Sequence, residues 1–132
     1  MSDAAFALGA YLDDTGERTD EATAYKADDL TTHGVIVGMT GSGKTGLGVV
    51  MMEEALRNNI PTLVIDPKGD MGNLLLTFPN LSADDFAPWV PRQTDPAETA
   101  GTWRSGLEGW GLATEHIAAL RDGHRFCVLT PG

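Results

Sequence analysis

Basic residues and thiols are what this 132-residue chain has least of. Nine Lys plus Arg, three of them lysines, stand against nineteen Asp plus Glu, and Cys127 is the single cysteine. A net charge of −10 is the wrong sign for a surface that grips nucleic-acid phosphates by counterion release, so no DNA-contacting face is expected in these residues. One cysteine excludes an internal disulfide and a multi-cysteine zinc site, and within the apolar run 126–129 Cys127 reads as a small buried side chain. No apolar run approaches the ~18 residues of a membrane span, and the first residues lack the basic segment of a secretory signal. The expected setting is therefore the cytoplasm, without a membrane partner. His33, His116 and His124 do not approach metal-ligand spacing and are each expected to make a local hydrogen bond. Few basic residues interleave with Trp89, Trp103 and Trp110, which are expected to seal apolar surface rather than stack bases.

What remains is ordinary globular material: 42% hydrophobic, 21% charged, with a mean hydropathy of −0.13. The length allows one domain at most, since domains commonly run about 100–200 residues. Acid is spread unevenly. Residues 1–30 carry a net −6, residues 31–78 a net −1 and residues 79–132 a net −3. The charge on the flanks leaves the middle third free to be interior.

Along the chain, residues 6–11 and 22–26 flank the turn formers Asp13, Asp14, Thr15 and Gly16, which predicts a hairpin. Residues 35–37 (Val-Ile-Val), 62–65 (Thr-Leu-Val-Ile) and 125–129 (Arg-Phe-Cys-Val-Leu) read as buried strands of parallel type. Between the first two, residues 44–58 have apolar positions on more than one face. They predict a helix ending at Asn58 and Asn59, its wet edge marked by Glu53 and Arg57 at i,i+4. Strand, helix and strand make a βαβ unit, whose right-handed crossover implies a parallel sheet. Asp66-Pro67-Lys68-Gly69 has the signature of a type I turn. Ser82 with Asp85 resembles a capping box. Asp95 before Pro96 starts a helix that is expected to falter at Gly106, Gly109 and Gly111, and a further helix runs over about 113–121.

The stretch Gly38-Met39-Thr40-Gly41-Ser42-Gly43-Lys44-Thr45 carries the chemistry. It fits the phosphate-binding pattern of Gly, four residues, then Gly-Lys-Ser/Thr, placed between an apolar strand and an apolar helix. Drawn from this composition, the pattern would arise by chance in about 0.6% of such chains. Small residues let the backbone curl until the N–H groups from Gly41 to Gly46 point at phosphate oxygens, helped by the positive end of the following helix. Gly38, Thr40, Gly41, Ser42, Gly43, Lys44, Thr45 and Gly46 are the candidate nucleotide-binding residues. Lys44 is placed to reach the β- and γ-phosphate oxygens and is the catalytic candidate; the Thr45 hydroxyl is placed to ligate Mg²⁺. ATP is expected over GTP, because no guanine-reading Asn-Lys-x-Asp string occurs. Asp66, ending an apolar strand, is a second metal candidate, although Pro67 follows it and its turn chemistry accounts for an acid there. Lys68 and Asp70 share that turn, where ligands of parallel sheets collect.

The run from Leu30 and His33-Gly34 through the Thr-Gly-Ser-Gly-Lys-Thr loop to Asp66-Pro67-Lys68-Gly69-Asp70 resembles the HerA/FtsK-like branch of the additional-strand P-loop ATPases. The resemblance is close over about 45 residues and looser over the whole chain, which then reads as the amino-terminal part of a larger ATPase. It implies a RecA-like three-layer αβα fold with a parallel sheet, incomplete here, and a small amino-terminal hairpin. On that reading residues 1–30 are a β extension and residues 31–132 a partial ATPase domain with a helical insertion at about 79–122. It also implies ring assembly, ATP and Mg²⁺ as cofactors, and ATP-driven movement of DNA or a related polymer. Where this chain departs from the pattern is a Walker B Asp with its adjacent catalytic Glu: after residue 70 no apolar run ends in Asp-Glu. Arg104, Arg121 and Arg125 are all open as an arginine finger. The isolated chain is therefore expected to bind ATP weakly and turn it over negligibly. Two other readings stay open: a small P-loop nucleotide or metabolite kinase, and an acidic interaction module that holds a nucleotide without chemistry.

Overall fold

Alternation of small and bulky residues before and after a polar turn produces the first element, an antiparallel hairpin of β1 (Ala5–Leu12) and β2 (Arg18–Lys26). The structure, a computed structural model, describes residues 4–130. Asp13 shapes the turn: its Oδ1 accepts from Thr15 N (2.9 Å), Thr15 Oγ1 (2.6 Å) and Glu17 N (2.9 Å). Those bonds, the Thr15 hydroxyl first, hold the Asp13 carboxyl below its ordinary pKa. Ala5, Phe6 and Ala7 pair with Lys26, Tyr25 and Ala24, after which the register shifts between Ala7 and Gly9 and again between Ala10 and Leu12. Such irregularities bend a strand and increase its twist.

Helix α1 (Lys44–Arg57) follows the glycine-rich loop. It stops where asparagines were expected to stop it. Asn59 takes a left-handed φ of 56°, Ile60 N donates to Ala55 O (2.8 Å) and Asn59 N to Leu56 O (2.7 Å), a Schellman end. Asparagine tolerates this conformation better than most residues because its short polar side chain bonds locally. The chain divides into two compact units, the first ending at Met71 and the second beginning at Gly72.

In the second unit the local signals again match the elements. Ser82 and Asp85 form a reciprocal capping box, Ser82 Oγ accepting from Asp85 N (3.3 Å) and Asp85 Oδ2 accepting from Ser82 N (3.1 Å), at the start of α2 (Ala83–Phe86). Asp95 caps α3 (Pro96–Glu108) by accepting from Ala97 N at 2.9 Å. This helix runs through Gly106, where a break was also expected, and ends at Gly109, the second of the glycines expected to stop it. In α4 (Thr114–Gly123) His116 Nδ1 accepts from Ala113 N (3.0 Å), and His124 Nδ1 lies 2.9 Å from Leu120 O, so both make the local bond expected of them. Leu81, Phe86 and Ala100 form the core, with Phe78, Val90, Leu107 and Ile117 against it. Phe78 meets Phe86 edge to face at 4.9 Å.

Several expectations need correcting. The hairpin is the only ladder among the described residues, and residues 35–37, 62–65 and 125–129 lie outside any strand. Val35 is 84% exposed, Leu63 89% and Leu129 87%. The βαβ unit and its parallel sheet are thus not seen here. Apolar β-branched runs set a preference for extended backbone, but a strand exists only where a partner offers a ladder. Cys127 is exposed, with Val128 and Leu129 beside it, instead of buried. Trp89, Trp103 and Trp110 are also exposed and do not seal the core; Trp103 reaches Phe86 only at a ring separation of 6.2 Å. On α1 the ion pair of Arg57 is with Glu54 (2.7 Å, i,i+3) and not with Glu53.

Candidate functional site

The glycine-rich loop owes its shape to three glycines with two different duties. Gly41 (φ 80°) and Gly43 (φ 86°) occupy left-handed backbone, which costs an L side chain roughly 1–2 kcal/mol. Gly38 is needed for space: a Cβ there would overlap Ser42 Oγ and come within 3.3 Å of Ser42 Cβ and 3.5 Å of Lys44 Cγ. The loop therefore folds back on itself, Ser42 N donating to Met39 O at 3.2 Å.

Helix α1 begins at Lys44 on a left-handed Gly43, with no side-chain cap and no acid in its first turn. The first amides of a helix have no intrahelical partner, and here no carboxylate neutralises their positive end. Leu47 N takes the first helical bond, to Gly43 O at 2.9 Å. The Lys44 ammonium donates to Met39 O at 2.5 Å, so it sits over the loop whose carbonyls it can exchange for phosphate oxygens. Gly38, Thr40, Gly41, Ser42, Gly43, Thr45 and Gly46 are exposed and Lys44 partly so, which leaves the loop open to solvent. A tight backbone curl, uncapped amides and an ammonium held over the loop fit a polyphosphate, and the Thr45 hydroxyl is a hard oxygen ligand of the kind Mg²⁺ takes.

Asp66 spends both oxygens on its own turn. Oδ1 accepts from Gly69 N and Oδ2 from Met71 N, each at 2.9 Å, with Gly69 at φ 78°. The Met71 amide is the largest cause of a carboxyl pKa held below the ordinary value. Carboxylate oxygens carry further lone pairs, so these bonds orient Asp66 without filling its ligand capacity. Lys68 pairs with Asp70 on the same turn, and that bond raises the lysine pKa. The turn also reaches α1: Met71 Cε lies 3.6 Å from the position a Cβ on Gly48 would take. No group of three or more His, Cys, Asp or Glu that could hold a metal occurs among the described residues.

Of the three arginines open as a finger, Arg104 donates to Leu81 O (3.1 Å) and Arg121 to Thr77 O (2.6 Å), each tied within the second unit. Sequence reasoning passed over Glu54. It is buried on α1, accepts from Ala7 N at 2.7 Å through Oε2, and pairs with Arg57. Its neighbour Glu53 is the one whose carboxyl pKa is raised, by burial first and then by the Glu54 charge. The i,i+4 spacing pointed to Glu53; the seating of the helix selects Glu54 instead.

The profile of the family described as helicase HerA, central domain, matches residues 8–122, most of the chain. No curated protein and no solved structure gives a significant match.

Proposed function

Because the chain belongs to the family of the helicase HerA central domain, an ATPase-type motor family, we propose that it is the Mg-ATP-binding segment of a HerA/FtsK-like ATPase. The observation that carries this is the start of α1: an uncapped helix head behind a loop in which a side chain at Gly38 would crowd Ser42. Amides of residues 41–46 and the Lys44 ammonium hold the phosphates, and Thr45, with Asp66 as its second ligand, holds Mg²⁺. Bound ATP supplies the transferable phosphoryl group; the protein's part is to seat it.

The parallel αβα sheet belongs to the same proposal. Val35, Ile36 and Val37, like Leu63, Val64 and Ile65, are apolar at successive positions, hence on both faces of an extended run, yet open to solvent, which suits strands that gain their neighbours from elsewhere in the larger ATPase. A Walker B acid with its catalytic glutamate is then supplied outside these residues, in a ring of subunits, and Arg125 stays open as the finger. DNA, if it is the cargo, is gripped elsewhere, since this segment carries −10. None of the helices among the described residues is long and apolar enough to cross a membrane. The kinase reading loses ground because Arg104 and Arg121 are engaged by carbonyls and make a poor phosphate lid.

Titration with a fluorescent ATP analogue in Mg²⁺, paired with a phosphate-release assay, tests the proposal. Binding that disappears in Lys44→Ala, with negligible release of phosphate, is the expected result. Wild type that binds no nucleotide, or binding indifferent to Lys44→Ala, would refute it; product formation on a small acceptor would favour the kinase.

A further inference from the structure

Glu54 is the buried charged side chain among the described residues, 7% exposed, on the helix that begins at the phosphate loop. Taking a carboxylate out of water is costly unless it is both paired and hydrogen-bonded. Its two oxygens serve different parts of the molecule. Oε1 accepts from Arg57 Nη1 (2.7 Å) on its own helix, and Oε2 accepts from Ala7 N (2.7 Å) on β1. One turn further on, Asn58 Nδ2 donates to Glu54 O (2.8 Å) and to Ala5 O (3.4 Å).

The hairpin register explains what these side chains meet. Ala27 N donates to Ala4 O at 2.9 Å, so the even-numbered residues at this end of β1 face β2. Ala5 and Ala7 turn their polar backbone to the opposite edge. Glu54 and Asn58 satisfy that edge as a neighbouring strand would, one accepting where the strand donates and the other donating where it accepts. An apolar side chain at 54 would avoid the burial cost but leave the Ala7 amide unpaired, and would set no height for the hairpin along the helix. At the other end of α1, Met71 of the Asp66 turn packs by Gly48. The helix carrying Lys44 and Thr45 at its head is thus held near the loop by the Asp66 turn and at its foot by the hairpin edge.

We propose that Glu54 is a positioning residue of the nucleotide site, fixing the axial setting of α1 against the β1 edge so that seating of phosphates in the loop is felt at the Ala7 amide. An α-helix bonded at every turn is stiff along its axis, so a small shift of its head moves its foot by a comparable amount. This rests on the phosphate-loop reading above.

The test is amide hydrogen exchange at single-residue resolution on the full chain, with and without Mg-ATP, together with nucleotide titration of wild type, Glu54→Gln, Glu54→Ala and Asn58→Ala. Mg-ATP slows exchange at Ala7 in the wild type, and Glu54→Ala weakens Mg-ATP binding about tenfold, within the usual span of coupling between sites. Glu54→Gln, which keeps an oxygen for the Ala7 amide, restores most of the affinity, a rescue that a purely structural loss would not show. Asn58→Ala keeps the Glu54 bond and loses part of the affinity, so the coupling is read even if Glu54→Ala fails to fold. A wild type that binds no nucleotide refutes the phosphate-loop reading itself. A wild type that binds while Ala7 exchange ignores nucleotide, or a folded Glu54→Ala that binds as tightly, overturns the positioning role.

Discussion

Replacing Gly38 by alanine is the sharpest probe of the loop, because this glycine is needed for room and not for a special φ. The added methyl would overlap Ser42 Oγ, press on Ser42 Cβ at 3.3 Å and lie in ordinary contact with Lys44 Cγ at 3.5 Å. Ser42 can swing its hydroxyl away, but its Cβ is fixed in place by the loop backbone, and the Lys44 stem leads to the ammonium proposed to reach phosphate. Relief therefore requires the loop to open by a few tenths of an ångström. Overpacking of this kind typically costs about 1–3 kcal/mol. A cost near 1.4 kcal/mol in the binding-competent loop would weaken nucleotide binding about tenfold. The assay is titration of a fluorescent ATP analogue, with thermal unfolding to show that the fold survives. Gly38→Ala/Ser42→Gly is the decisive companion, since removing the Ser42 side chain clears both nearest atoms. The double variant should bind more tightly than Gly38→Ala despite the extra freedom of a glycine at 42. If Gly38→Ala binds as wild type, or the second change brings no relief, the close approach of Gly38 to Ser42 does not shape the site.

The two perturbed carboxyls give opposite pH signs. Asp66 has a folded pKa below the ordinary 3.8, so its contribution to the turn is fully present above that value and lost as pH falls through the folded one; exchange at the Met71 amide should rise there, and Asp66→Asn should remove the pH step. Glu53 has a folded pKa above its ordinary 4.5 because burial penalises its charge, so it favours folding most below 4.5 and loses that contribution as pH rises through the folded value. Glu53→Gln should raise the melting temperature at neutral pH and flatten its acid dependence; a lower melting temperature would contradict the burial reading. Asp95→Ala removes the cap on Ala97 N and should cost about 1 kcal/mol in denaturant unfolding, with nucleotide binding unchanged.

Elements whose stabilising bonds close within a few residues were readable from the chain alone. The hairpin turn around Asp13, the asparagine end of α1, the Ser82 box and the Asp95 cap are each a donor and an acceptor separated by five residues or fewer. The glycine loop is of the same kind, with Gly38, Ser42 and Lys44 as its own neighbours. The three apolar runs were not readable in this sense. Their residues prefer extended backbone, but a ladder is a property of two segments, and their composition carries no information about which partner is in place.

The sequence by itself determined the glycine-rich loop and the family, because the curl of residues 38–45 follows from where glycines, lysine and threonine fall in one short stretch. Only the tertiary structure decided which of two adjacent glutamates would be buried, and against what. Glu53 and Glu54 stand 100° apart on an ideal helix, and charge patterning favoured Glu53 as the partner of Arg57. The edge of β1, forty-seven residues earlier in the chain, chose Glu54 instead, since an unpaired Ala7 amide beside α1 rewards the one carboxylate whose helical angle points at it.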